Sequence, residues 1–226
     1  MISQTPLNYE YNVELLNIMP PSCSFVVEVG CGSGVLARAY KEKNLYQNYW
    51  HGIDIDPGYT AVAKEYCDAV TCIDLDGVDA GFYQQFVAAD CWVFGDSLEH
   101  LKDPWKVLSD IYSVMPEGGY VAVCIPNSQH WTVWLQMALG DFEYQDAGLM
   151  DRTHLRWFSR KTSIELLRQS GFRVLKGVVR EYHEKNRDIV ITKFTKFCSE
   201  IGIQDISQLE KDLKPQQYVF LAQKYD

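Results

Sequence analysis

Glu28-Val29-Gly30-Cys31-Gly32-Ser33-Gly34 decides how this chain is read. It ends an apolar run, Ser24 to Gly30, and opens a run with helical spacing, Val35 to Lys43. A strand that turns on glycines into a helix aims backbone N–H groups at a ligand, and glycine lets the backbone come close where a Cβ would clash. Two ligand classes use such a turn. A dinucleotide fingerprint, G-x-G-x-x-G, would begin at Gly30 and Gly32 and put its third Gly or Ala at position 35, which is Val35 here. The tighter G-x-G-x-G, with Glu28 two residues ahead of it, suits a ligand without a pyrophosphate.

Outward from the turn, strand-like and helix-like runs alternate. Ser24 to Gly30, Tyr49 to Asp54, Val70 to Ile73, Cys91 to Gly95 and Tyr120 to Ile125 read as strands. Val35 to Lys43, Gly58 to Tyr66, Phe82 to Val87 and Pro104 to Val114 read as the helices between them. This alternation predicts a parallel sheet with helices on both faces. An amphipathic stretch, Tyr9 to Ile18, comes first and is stopped by Pro20 and Pro21. After Pro126 the alternation breaks, and residues 127–160, rich in Trp, His and Arg, read as an insertion over the site. A helix-like Thr162 to Ser170, a strand-like Phe172 to Val179, a helical tail from Arg187 to Leu213 and a last strand, Gln217 to Ala222, complete the chain.

Composition narrows the function. With 226 residues and 47% apolar content the chain can bury a sizeable core, and one domain over 1–226 is expected. Against 21 Lys and Arg stand 30 Asp and Glu, a net charge of -9 that repels a phosphate backbone, so no nucleic-acid partner is expected. Seven cysteines, at 23, 31, 67, 72, 91, 124 and 198, form no C-x-x-C pair for zinc or redox work. They read as reduced thiols of a cytoplasmic protein, and no metal is expected. No run approaches the roughly 18 apolar residues of a membrane span.

Acids close the next two strands. Asp54 ends Gly52-Ile53-Asp54 about 20 residues beyond the turn, where a carboxylate holds a ribose hydroxyl. Asp56, two residues on, reads equally as a helix cap. Asp74, in Cys72-Ile73-Asp74-Leu75, is placed to meet the exocyclic amine of an adenine or to serve as a plain turn residue.

Together with Gly95-Asp96-Ser97-Leu98-Glu99-His100-Leu101-Lys102-Asp103-Pro104 and Met115-Pro116-Glu117-Gly118-Gly119, these stretches resemble class I S-adenosylmethionine-dependent methyltransferases. The likeness runs on to Gly148-Leu149-Met150-Asp151-Arg152-Thr153-His154-Leu155-Arg156-Trp157-Phe158. That last motif, with Pro126-Asn127-Ser128-Gln129-His130-Trp131 before it, is similar to a bacterial subgroup associated with surface-polysaccharide and glycosyltransferase systems. The resemblance implies a Rossmann-like, doubly wound α/β fold with a mostly parallel seven-stranded sheet. It implies S-adenosyl-L-methionine as cofactor and S-adenosyl-L-homocysteine as product. On that basis Glu28, Gly30 and Gly32 hold the methionine part, Asp54 the ribose, and Asp74 and Leu75 the adenine, while Gly95 and Asp96 line the methionine side.

A sulfonium brings its own activated methyl, so the protein must align the acceptor and, for a hydroxyl, remove its proton. Of the five histidines, His51 and His183 lie away from the expected site, and His100 reads as a packing residue of a helix start. His154 and His130 remain as candidate bases, with Asp151 expected to orient the His154 ring. A polar network of Asp151, Arg152 and His154 that merely pins the insertion is the competing reading. Trp131, Trp134, Tyr144, Trp157 and Phe158 are pocket or core residues, and Arg152, Arg156, Arg160 and Lys161 form a basic cluster that reads either as a site for a phosphate or uronate or as a solvated helix face. The leading expectation is O-methylation of a sugar or glycoconjugate hydroxyl. Methylation of a small aromatic, quinone-like or amine metabolite comes next, followed by a non-catalytic cofactor-binding module or a dinucleotide-dependent oxidoreductase.

Overall fold

The computed structural model describes residues 5–44 and 48–225. In chain order the elements are α1 (Val13–Ile18), β1 (Phe25–Val29), α2 (Val35–Lys43), β2 (Tyr49–Asp54), α3 (Pro57–Ala63), β3 (Ala69–Cys72) and β4 (Cys91–Gly95). They continue with α4 (Pro104–Val114), β5 (Tyr120–Pro126), α5 (Trp131–Leu139), α6 (Arg160–Gln169), β6 (Phe172–Arg180), α7 (Arg187–Glu200), α8 (Ile206–Asp212) and β7 (Gln217–Lys224).

The seven strands form one sheet in the order β3-β2-β1-β4-β5-β7-β6, parallel except for β7, which runs antiparallel to both neighbours. Period-two alternation sends neighbouring side chains to opposite faces. Val27, Trp92, Phe94 and Val123 pack on one face with Leu108 and Ile111 of α4 and Leu166 of α6. Val26, Val93 and Cys124 pack on the other with Leu15 of α1, Leu36 of α2 and Ala63 of α3. This is the doubly wound α/β sheet that the alternation predicts. Strand order reverses between β1 and β4, and the crevice past the carboxyl ends of those strands is where such folds bind ligands.

Three local expectations are refined. Phe82 to Val87 is expected as an α-helix, but residues Ala80–Phe86 form a 3-10 helix capped by Asp79. The helical tail divides at Gly202, whose φ of +85° ends α7 and lets α8 start afresh at Ile206. The amphipathic start becomes helical only at Val13, capped by Asn12, and residues 5–12 run as an irregular strap. No described helix is long and apolar enough to cross a membrane.

Candidate active site

The glycine turn after β1 is built on left-handed backbone. Gly30, Gly32 and Gly34 have φ of +73°, +52° and +75°, which side-chain-bearing residues rarely adopt. A Cβ on Gly30 would stand 2.9 Å from Cβ of Ser97, whose hydroxyl donates to the Val29 carbonyl at 2.8 Å, so this glycine lets β1 close against β4. Gly32 differs: a Cβ there would meet only Leu7, at 3.7 Å, and would otherwise project into the adjoining cavity. That cavity holds about 720 Å³, within the usual range for small-ligand sites.

Carboxylates within or just past the ends of three strands line it. Burial, reinforced by Cys67, pushes the Glu28 carboxyl well above the usual range, while the Trp50 indole donates to it at 2.9 Å. Asp54 accepts from the Gly32 N–H at 2.9 Å and from the Asp56 N–H at 3.0 Å. Asp56 itself caps α3 through Gly58 and Tyr59, the plainer of its two readings. Asp74 is exposed at the cavity edge and accepts from Asp76 N–H at 2.9 Å, beside buried Leu75. Gly95 and Asp96 close the floor, Asp96 at a left-handed φ of +61° with its carboxylate held by Gln217. The strap crosses the mouth: Tyr59 donates to the Thr5 carbonyl at 2.7 Å and Ser33 to the Asn8 carbonyl at 2.6 Å.

The same cavity is also lined by a cluster of buried Glu99, half-buried His100 and buried His154. Glu99 and His100 lie in a 3-10 turn, Leu98–His100, after β4. The Glu99 carbonyl accepts from the N–H groups of Leu155 and Arg156, at 2.8 and 3.0 Å, which brings His154 over the turn. The two imidazole rings meet edge to face at 4.8 Å, and His154 Nε2 lies 3.8 Å from Glu99 Oε1. Burial, with His100 beside it, lowers the His154 pKa to about 4, so the ring is neutral at physiological pH.

Asp151 does not orient that ring directly, contrary to the sequence reading. It accepts from Thr153 N–H and hydroxyl, at 2.8 and 2.6 Å, and from the Thr5 hydroxyl at 2.7 Å. Against the penalty of burial, these bonds hold its carboxyl below the usual range. Asp151 thus fastens the 148–154 loop to the strap and reaches the His100 imidazole through Thr153.

His130 does not line the cavity. It is fully buried at the start of α5, with Nδ1 on the Thr132 hydroxyl at 2.8 Å and Nε2 3.1 Å from Glu184. His130 instead caps α5, its ring accepting from the Thr132 N–H, so it supports this helix in place of the expected role as base. His51 sits within β2 against Thr71, and His183 is exposed beyond β6. Trp131 and Phe158 are core, and Trp134 packs on Phe194 of α7. Tyr144 and Trp157, with Arg152, instead border an outer depression that shares His154 with the main cavity. The basic cluster disperses: Arg160 pairs with Asp212 at 2.8 Å and Arg156 donates to the Lys102 carbonyl. Glu99, His100 and the strap are the site residues the sequence reading missed. Their one visible signal is an acid and a histidine enclosed between Leu98 and Leu101.

A glycine turn and strand-end acids around one crevice of a doubly wound sheet define a Rossmann-like nucleoside-binding enzyme fold. The sequence profile of the methyltransferase domain matches residues 10–176, and the chain belongs to that family. Residues 10–176 thus make up a methyltransferase domain. Over 153 residues it is 24% identical to a tRNA 5-carboxymethoxyuridine methyltransferase of Escherichia coli O157:H7. That alignment covers 61% of this chain and 58% of the relative, less than two thirds of its length. Among solved structures, a S-adenosylmethionine-dependent methyltransferase from Mesorhizobium loti superposes with a TM-score of 0.59 at 16% identity, over 93% of this chain and 96% of that one. A Haloferax volcanii methyltransferase in complex with the Trm112 activator gives 0.61 at 18%, over 94% and 87%. Haemonchus contortus phospholethanolamine N-methyltransferase 2, solved with S-adenosylhomocysteine, gives 0.58 at 16%, over 94% and 52%. At these identities the likeness is one of fold. The cavity suits the cofactor on its own terms: open space at Gly32, a buried acid at Glu28 for a cationic group, and Asp54 for a diol.

Proposed function

We propose that this chain is an O-methyltransferase acting on a sugar or glycoconjugate hydroxyl, with its site in one domain and residues 127–160 as an insertion over the acceptor side. Glu28, Gly30 and Gly32 receive the methionine part of the cofactor, Asp54 the ribose, Asp74 and Leu75 the adenine, and Gly95 and Asp96 border the methionine side. When bound, S-adenosylmethionine supplies a methyl group on a sulfonium, whose departure as S-adenosylhomocysteine needs no acid. The chain's own work is to align the acceptor, exclude water and take up the hydroxyl proton. That proton falls to the cluster around His154, with Asp151 as the positioning residue acting through Thr153.

The observation that carries this reading is continuity: one cavity is lined by Gly32 and Asp54 and by the cluster of Glu99, His100 and His154. An amine acceptor would leave such a proton-handling cluster without a task. Tyr144 and Trp157 beside Arg152 support a sugar ring bearing an anionic group, as aromatic faces and a guanidinium recognise these. The resemblance to a polysaccharide-associated subgroup supports the same acceptor. Seven free thiols, six of them buried, support a cytoplasmic setting. The similarity to a tRNA methyltransferase favours a second reading, a modified nucleoside in RNA, which a net charge of -9 opposes. A methyl-transfer screen with labelled S-adenosylmethionine against extract fractions decides between them. Label in the glycan or glycolipid fraction is expected; label confined to RNA or amines overturns the sugar reading.

A further inference from the structure

Glu99 is 1% exposed, and neither carboxylate oxygen has a hydrogen-bond partner among the described residues. Among the described residues no Lys or Arg pairs with it. A buried carboxylate in that state either takes up a proton or holds a cation. What faces it is a pair of imidazoles. One donor atom from each of Glu99, His100 and His154 falls within 4.8 Å of the others. Donors bound at about 2.1 Å to one ion stand roughly 3–4 Å apart, so a closure of about 1 Å completes the set.

The orientation of His100 sharpens the case. Its Nδ1 lies 3.0 Å from the Thr153 hydroxyl and 3.2 Å from the Thr153 carbonyl. The single hydroxyl proton of Thr153 goes to Asp151 at 2.6 Å, and a carbonyl can only accept. Nδ1 of His100 therefore carries the ring proton, and Nε2 is left with its lone pair. An imidazole held through its N–H by a carbonyl and, through a hydroxyl, by a carboxylate is the support that ligating histidines have in metal sites.

We propose that Glu99, His100 and His154 bind one divalent first-row transition cation, through a carboxylate oxygen and one nitrogen of each ring, with open positions toward the cavity. Two imidazoles and one carboxylate suit manganese, iron, cobalt or zinc better than magnesium or calcium, which favour all-oxygen sets. The inference deepens the hydroxyl reading and rests on it. An acceptor hydroxyl placed on the open side has its pKa lowered, its proton passes to water, and His154 acts as a ligand in place of a free base. The sequence, read for cysteine spacing, gave no expectation of a metal, because these ligands come from two segments more than 50 residues apart.

The test is cobalt binding to the full-length protein, stripped with chelator and dialysed against Co²⁺ with neither methyl donor nor acceptor present. One equivalent with a visible ligand-field band is expected in the wild type, together with a rise in Tm. Glu99→Gln, which keeps the shape and removes the buried charge, should melt above the wild type without cobalt and show neither band nor shift with it. Thr153→Val, which removes the hydroxyl support of His100, should weaken binding about 10–100-fold. Equal cobalt affinity in the wild type and Glu99→Gln, or none in the wild type, overturns the site. Hydroxyl methylation at full rate in chelator, with no cobalt bound, also overturns it and leaves the O-methylation reading standing. Cobalt bound as expected, with the methyl label on an amine, sinks that reading and leaves the cation site.

Discussion

The backbone N–H of Gly32 donates to a carboxylate oxygen of Asp54 at 2.9 Å, tying the turn after β1 to the end of β2. The other oxygen accepts from Asp56 at 3.0 Å. An ionised carboxylate accepts about four hydrogen bonds, which leaves roughly two for a vicinal diol. Asp54→Ala should therefore weaken S-adenosylmethionine binding by about 1.5–3 kcal/mol, the scale of a hydrogen bond to a charged group. Calorimetry reads this as a Kd roughly 10–150 times higher. An unchanged Kd would place the ribose elsewhere.

Asp54 and the glycines were legible because their roles are local: a strand end, a spacing and a residue without Cβ fix them. The cluster of Glu99, His100 and His154 was not. His154 reaches Glu99 only because the Glu99 carbonyl takes the N–H groups of Leu155 and Arg156 across more than 50 residues. His130 was misassigned for a related reason: its half-buried partner Glu184 lies in a loop beyond β6, and no periodicity announces that pairing. The strap at 5–12 carries no regular pattern, and its place follows from side-chain bonds to Asp151, Tyr59 and Ser33.

Glu28 gives a pH-dependent expectation. Burial, then Cys67, raises its folded-state pKa well above the unfolded value, so the native state binds more protons as pH rises past the ordinary carboxylate range. Stability then falls with rising pH. Glu28→Gln keeps an acceptor for Trp50 and removes the charge. Its unliganded Tm should exceed that of the wild type near neutrality, by about 2–4 °C for each kcal/mol relieved. The gap should close as pH drops to about 4. Affinity for S-adenosylmethionine should fall at the same time, because a cationic group loses its anion. Thermal melts across pH check the first effect; identical Tm values at every pH would refute the burial argument.

His130→Ala separates support from chemistry. It removes the cap at Thr132 and the contact with Glu184, and caps are worth about 0.5–2 kcal/mol. Tm should drop, with cofactor Kd and methyl-transfer rate retained at temperatures where the variant is folded. A collapse in rate without loss of Tm would return His130 to the site.

The most direct test is the methyl-transfer rate of His154→Ala on the glycan fraction that the wild type labels, with Kd for S-adenosylmethionine measured alongside. Whether His154 takes the proton itself or helps hold a cation that releases it, the rate should fall by roughly 10²–10⁴-fold while Kd hardly moves. Full-rate transfer by His154→Ala onto the same hydroxyl would contradict the assignment of proton removal to this cluster.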